Sequence, residues 1–112
     1  MAEQHASSLV GPLSRELYTE LMSAVSSVGE FREEVKKTSV HLVHKSAFLD
    51  VQAHKQYLLL TIKSDRPIKS PRISKVEQVS KGRWHAEMKL SARKEINGEL
   101  MDWIGKAYKL SA

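Results

Sequence analysis

Arg83-Trp84-His85-Ala86-Glu87-Met88-Lys89-Leu90 is the stretch that decides the fold. Trp84, Ala86, Met88 and Leu90 fall on one side, and Arg83, His85, Glu87 and Lys89 on the other. A period of two marks a β-strand with one dry face and one wet face. Antiparallel sheets tolerate a wet face, whereas parallel sheets are covered on both sides.

Moving outward, Lys81-Gly82 reads as a tight turn, and Ile73 to Val79 as the strand before it. Ser64 to Arg72 contains Pro67 and Pro71 and reads as a loop. Further upstream, Tyr57 to Lys63 places Leu58, Leu60 and Ile62 on one face, and Ala47, Leu49, Val51 and Ala53 alternate before it. The β-branched run Val35 to His44 reads as the first strand, with Ser39, His41 and Val43 opposite Thr38, Val40 and Leu42. Only the short turns Lys45-Ser46 and His54-Lys55 separate these runs, which favours an antiparallel meander.

The flanks follow a different period. Ile96, Leu100, Trp103, Ile104, Ala107 and Tyr108 mark one face of a C-terminal helix. Gly98 and Gly105 each weaken it by about 1 kcal/mol relative to alanine, so it must lean on the sheet. At the other end, Leu9, Leu13, Leu17, Leu21 and Val25 recur every four residues and predict a helix over 9–28. Gly11-Pro12 suits its start and Gly29 its stop. Residues 1–8 are polar and read as disordered or extended. The expected fold class is therefore α+β, a single domain over 9–112. An N-terminal helix, a five-stranded mainly antiparallel meander sheet and a C-terminal helix follow in order, both helices on one face of the sheet.

Composition narrows the function. A chain of 112 residues fits one domain. It has no cysteine, which excludes disulfides, cysteine-rich zinc sites and thiol catalysis. The N-terminus lacks an apolar targeting segment and the longest apolar run is Leu58-Leu59-Leu60, so a cytoplasmic location away from membranes is expected. Net charge is +5 and unevenly spread. Residues 1–34 hold six acids and two bases, while 35–112 hold seven acids and sixteen bases. Such a basic field draws anions.

Catalytic and metal motifs are sparse. His41 and His44 lie three apart on a predicted strand, which sends them to opposite faces and disqualifies them as joint ligands. His85 and Glu87 share a face and could act as an acid/base pair, or be a charge pair on a wet strand. The His-x-Glu of zinc deaminases needs a Pro-Cys-x-x-Cys partner that this chain cannot supply. Neither a phosphate loop nor a dinucleotide fingerprint occurs, and the three aspartates are scattered, so no metal or cofactor is expected.

Four segments carry a resemblance: Val35-Lys36-Lys37-Thr38-Ser39-Val40, Val51-Gln52-Ala53-His54-Lys55 before Leu58-Leu59-Leu60, Ser70-Pro71-Arg72-Ile73, and Glu99 through Tyr108. Through them, 31–108 resembles a bacterial domain-of-unknown-function family often labelled "predicted transport protein". Members of that family stand alone or follow other domains, including nuclease-like ones, which implies an accessory role near nucleic acid. The resemblance supplies positions without roles: Lys37, Thr38, Lys55, Arg72, Trp84 and His85. It also implies that the leading helix is closer to an add-on than to the family core.

Three readings follow. In the first, the chain is a non-enzymatic module whose basic sheet face binds an anionic ligand, a nucleic acid or nucleotide. Its candidate residues are Lys37, Thr38, His41, Lys55, Tyr57, Arg72, Arg83 and His85. Aromatic rings set among cations are how single strands are held. In the second, the chain is a protein-interaction domain or a homodimer formed through the leading helix. In the third, it is a small hydrolase or transferase using His85 and Glu87.

Overall fold

The computed structural model describes residues 11–111, so the expectations for residues 1–8 and for a helix beginning at 9 lie outside the described residues. Helix α1 spans Pro12–Val25 and helix α2 spans Gly98–Leu110. Between them run β1 (Arg32–Val35), β2 (Val40–Val43), β3 (Ala47–Ala53), β4 (Leu58–Ser64), β5 (Ile73–Ser80), β6 (Arg83–Leu90) and a short 3-10 turn, Arg93–Glu95.

Six strands replace the expected five. Val35 to His44 is not one strand, because its polar stretch Lys36-Lys37-Thr38-Ser39 turns the chain. The Lys36 N–H donates to the Ser39 carbonyl at 2.7 Å. Val35 then pairs with Val40 and Glu34 with His41, making β1 and β2 a hairpin. All pairings are antiparallel, in the order β1-β2-β3-β4-β6-β5. The meander therefore holds through β4, after which β6 lies between β4 and β5.

Register aligns the apolar residues into rows: Leu49–Ile62–Ala86, Val51–Leu60–Met88 and Ala53–Leu58–Leu90. These rows share one core cluster with Leu17, Leu21 and Val25 of α1 and Leu100 and Ile104 of α2, apart from Ala86, which is buried beside it, and Ala53, which packs on its margin. Burying each large side chain contributes about 1.5–3 kcal/mol. Among the described residues of the α1 stripe offered by the sequence for a homodimer, Leu17, Leu21 and Val25 are thus enclosed by the chain's own fold, while Leu13 is exposed. Pro12 opens α1 where a missing N–H costs nothing. Asn97 caps α2, its side chain accepting the Leu100 N–H.

Phe48 departs from strict alternation, which would place it with Asp50 on the wet side. A bulge explains it. Leu42 opposes Leu49 but Val43 opposes Ala47, leaving Phe48 as the extra residue. Its ring is fully buried, edge-on to Phe31 at 6.1 Å and to Tyr108 at 5.2 Å. Tyr108 in turn donates to the Glu30 carbonyl at 2.7 Å. Gly29 makes that approach possible, since a Cβ there would sit 2.5 Å from the Tyr108 hydroxyl. No helix among the described residues is long and apolar enough to cross a membrane.

Candidate anion-binding site

The sequence-predicted residues do not converge. Lys37 and Thr38 occupy the β1–β2 turn, and Lys55 and Tyr57 lie in and beside the β3–β4 turn. Both turns are at one end of the sheet. Arg83 and His85 start β6 and lie at the other end, opposite the last residues of β4. Seven residues of β4, roughly 20 Å of extended chain, separate the two ends. The Tyr57 ring is already stacked on His54 at 4.6 Å and lies under the Lys89 amine at 5.0 Å.

The wet face itself is mixed in sign rather than cationic. One cross-strand row reads Glu34, His41, Asp50, Thr61, Glu87, Lys75. A second reads Lys63, His85, Glu77. The sequence reading of this face omitted Asp50. Its carboxylate lies 3.7 Å from His41 Nε2, and its Oδ1 is buried without a hydrogen bond. No hydrogen bond joins His85 to Glu87. Burial, and next Lys63, hold the His85 imidazole below its usual range, against the opposing pull of Asp50, Glu77 and Glu87. The ring is therefore predominantly neutral at pH 7. His44 takes no part, since it stacks on Tyr108 at 4.2 Å. Among the described residues no three His, Asp or Glu side chains come together as a metal site.

Positive charge concentrates elsewhere. Because β6 separates β4 from β5, the connection 65–72 must run beside the sheet, and it passes along α2. Between that loop and α2 lies a cavity of about 580 Å³. Lys63, Arg66, Lys69, Lys106 and Lys109 line it with Trp103, Ile68 and Leu110, and Asp65 is its one carboxylate. Asp65 pairs with Arg66 at 3.2 Å, and Lys106 with Asp102 at 3.1 Å. Both pairs are solvent-exposed and therefore weak. Lys69 and Lys109 have no ion-pair partner among the described residues. The α2 carbonyl dipoles end beside this groove and oppose anions, but Lys109 in the last turn and the Ser111 hydroxyl, which donates to the Tyr108 carbonyl at 2.7 Å, offset them. Sequence reasoning missed the groove because its residues come from a loop and from the far turns of a helix. The only local signal was Lys106 and Lys109 spaced three apart.

Arg72 holds the wall of this groove in place. Its guanidinium donates to Asn97 Oδ1 at 3.0 Å, Glu99 Oε1 at 2.9 Å and the Glu95 carbonyl at 2.7 Å, and sits 5.6 Å from the Trp103 ring centre. A rigid planar fork reaches these three acceptors while facing the Trp103 ring, a geometry that a compact ammonium does not reproduce. Arg72→Ala is expected to cost about 1–2 kcal/mol in chemical denaturation, after discounting for the exposed Glu99. Arg72→Lys is expected to recover less than half of that loss. A loss within error for both variants would remove Arg72 from this role.

The sequence model of one family, described as Domain of unknown function (DUF5655), matches residues 4–111, a span that includes α1. No curated protein and no solved structure matches the chain.

Proposed function

The chain belongs to the DUF5655 family, a family of domains of unknown function, and we propose that it works as a non-enzymatic binding module whose groove takes a nucleoside phosphate. The carrying observation is the grouping of five basic side chains and one tryptophan around a single cavity. Its volume falls in the range of small-ligand pockets, about 300–1,000 Å³. Ammonium groups hold phosphate as point charges, and Lys63, Lys69, Lys106 and Lys109 surround the space a phosphate would fill. Trp103 offers a ring edge or face to a base. A binding role is also favoured by the lining, which provides no free carboxylate or imidazole to move a proton.

Free nucleotide and single strand share this chemistry, and competition separates them. In fluorescence anisotropy with a labelled oligothymidylate, binding at low salt is expected to weaken with a log–log slope of about −3, from four amines at roughly 0.7 per contact. Displacement by AMP alone points to free nucleotide, whereas displacement only by unlabelled strand points to single-stranded nucleic acid. Binding that ignores salt, or no binding of either probe, overturns the proposal.

A further inference from the structure

A second, smaller cavity opens at the same end of the sheet. It measures about 220 Å³, and its polar lining, Ser46, Ser80, Arg83, His85 and Ser111 together with Lys63, faces four apolar residues that include Val79 and Leu110. Lys63 also lines the larger groove, so one amine borders both spaces. No carboxylate lines this cavity among the described residues.

The donors are available. The Lys63 amine makes one hydrogen bond, to the Ala47 carbonyl at 3.3 Å, and an ammonium has three protons to give. Arg83 uses one N–H on the Gly82 carbonyl at 2.9 Å and keeps the rest of its fork. His85, mostly neutral, has one ring N–H and adds no charge of its own. The turns explain why these groups meet. Ser46 belongs to the β2–β3 turn, Ser80 and Arg83 flank the Lys81-Gly82 turn, and Ser111 caps α2. Gly82 takes the left-handed backbone (φ 71°) that the tight turn demands, which sets Arg83 directly opposite Ser80.

We propose that this rim cavity is an oxyanion subsite, and that it takes the second phosphoryl group of a nucleoside diphosphate whose nucleoside part lies in the groove. The inference rests on the groove reading for its ligand. Within it, Lys63 bridges the two phosphoryl groups, Arg83 neutralises the outer one, and the hydroxyls of Ser46 and Ser80 complete its shell. Fixed donors of this kind discriminate by charge-assisted hydrogen bonds, each contributing more than a neutral one.

Calorimetric titration of the full chain with AMP and with ADP tests it. ADP is expected to bind about tenfold tighter, the effect of one further charge-assisted contact. Arg83→Gln should shrink that gap to about threefold or less while leaving AMP affinity unchanged. Arg83 is exposed, so its replacement leaves the fold intact, which circular dichroism verifies. Lys106→Gln, in the groove alone, should weaken both nucleotides and preserve the gap. Equal affinity for AMP and ADP in the unaltered chain overturns the inference and leaves the groove reading standing. An ADP preference that survives Arg83→Gln also overturns it. Failure of both nucleotides to bind overturns the groove reading, and this inference with it.

Discussion

Reversing Lys69 and Lys109 to glutamate together is expected to weaken AMP binding on the order of 100-fold, with little change in stability. These two amines have no ion-pair partner among the described residues, so their charge is available to a ligand. A hydrogen bond between charged groups contributes about 1.5–3 kcal/mol, and reversal replaces attraction by repulsion at both positions. Exposure and salt reduce each effect, which is why the expected sum stays near 3 kcal/mol (~100-fold) rather than twice that. Both side chains are exposed and lie outside the core, and the main cost is the loss of Lys109 from the last turn of α2, so the stability change should remain within about 1 kcal/mol. The control is Lys37→Glu with Lys55→Glu. It makes the same change of net charge at the far end of the sheet and should alter affinity by about threefold or less. Calorimetry on the two double variants separates a local site from a general cationic attraction. Equal losses in both would favour the latter.

Phe48→Ala is expected to be the most damaging single truncation, costing about 3–5 kcal/mol. The ring is fully buried at a bulge, so its truncation removes a large apolar side chain from the core and leaves a cavity. It also removes both edge contacts, to Phe31 and to Tyr108, and so loosens α2 from the β2–β3 turn. Domains of this size are stable by only about 5–15 kcal/mol, so the melting temperature should fall by roughly 15 °C or more. Thr61→Ala on the wet face should cost less than about 1 kcal/mol. Thermal unfolding followed by circular dichroism compares them, and a Phe48→Ala loss no larger than that of Thr61→Ala would contradict the packing described.

The sequence made the sheet readable wherever a strand was amphipathic. Arg83 to Leu90 alternates cleanly and is β6 to the residue, and the α2 stripe follows from Leu100, Ile104 and Ala107. The β1–β2 hairpin was hidden because its turn, Lys36 to Ser39, contains no glycine, proline or asparagine to break a β-branched run. Phe48 was hidden because a bulge, which depends on the pairing of two strands, overrides a period read from one. Candidate site residues fared worse, since charge at Lys37, Lys55 and Arg83 says nothing about which sheet end each occupies. The exchange of β5 and β6 in the sheet order, which carries 65–72 along α2, is what gathers the groove, and no local pattern announces it.

Backbone amide mapping during an AMP titration tests the groove most directly. The expected shifts are saturable and cluster at 63–69 and 103–110, including the Trp103 indole N–H, with Arg83 and His85 moving further when ADP replaces AMP. Saturable shifts centred on Lys37, Thr38, Lys55 and Tyr57 would contradict the assignment, as would weak linear drifts over the whole surface.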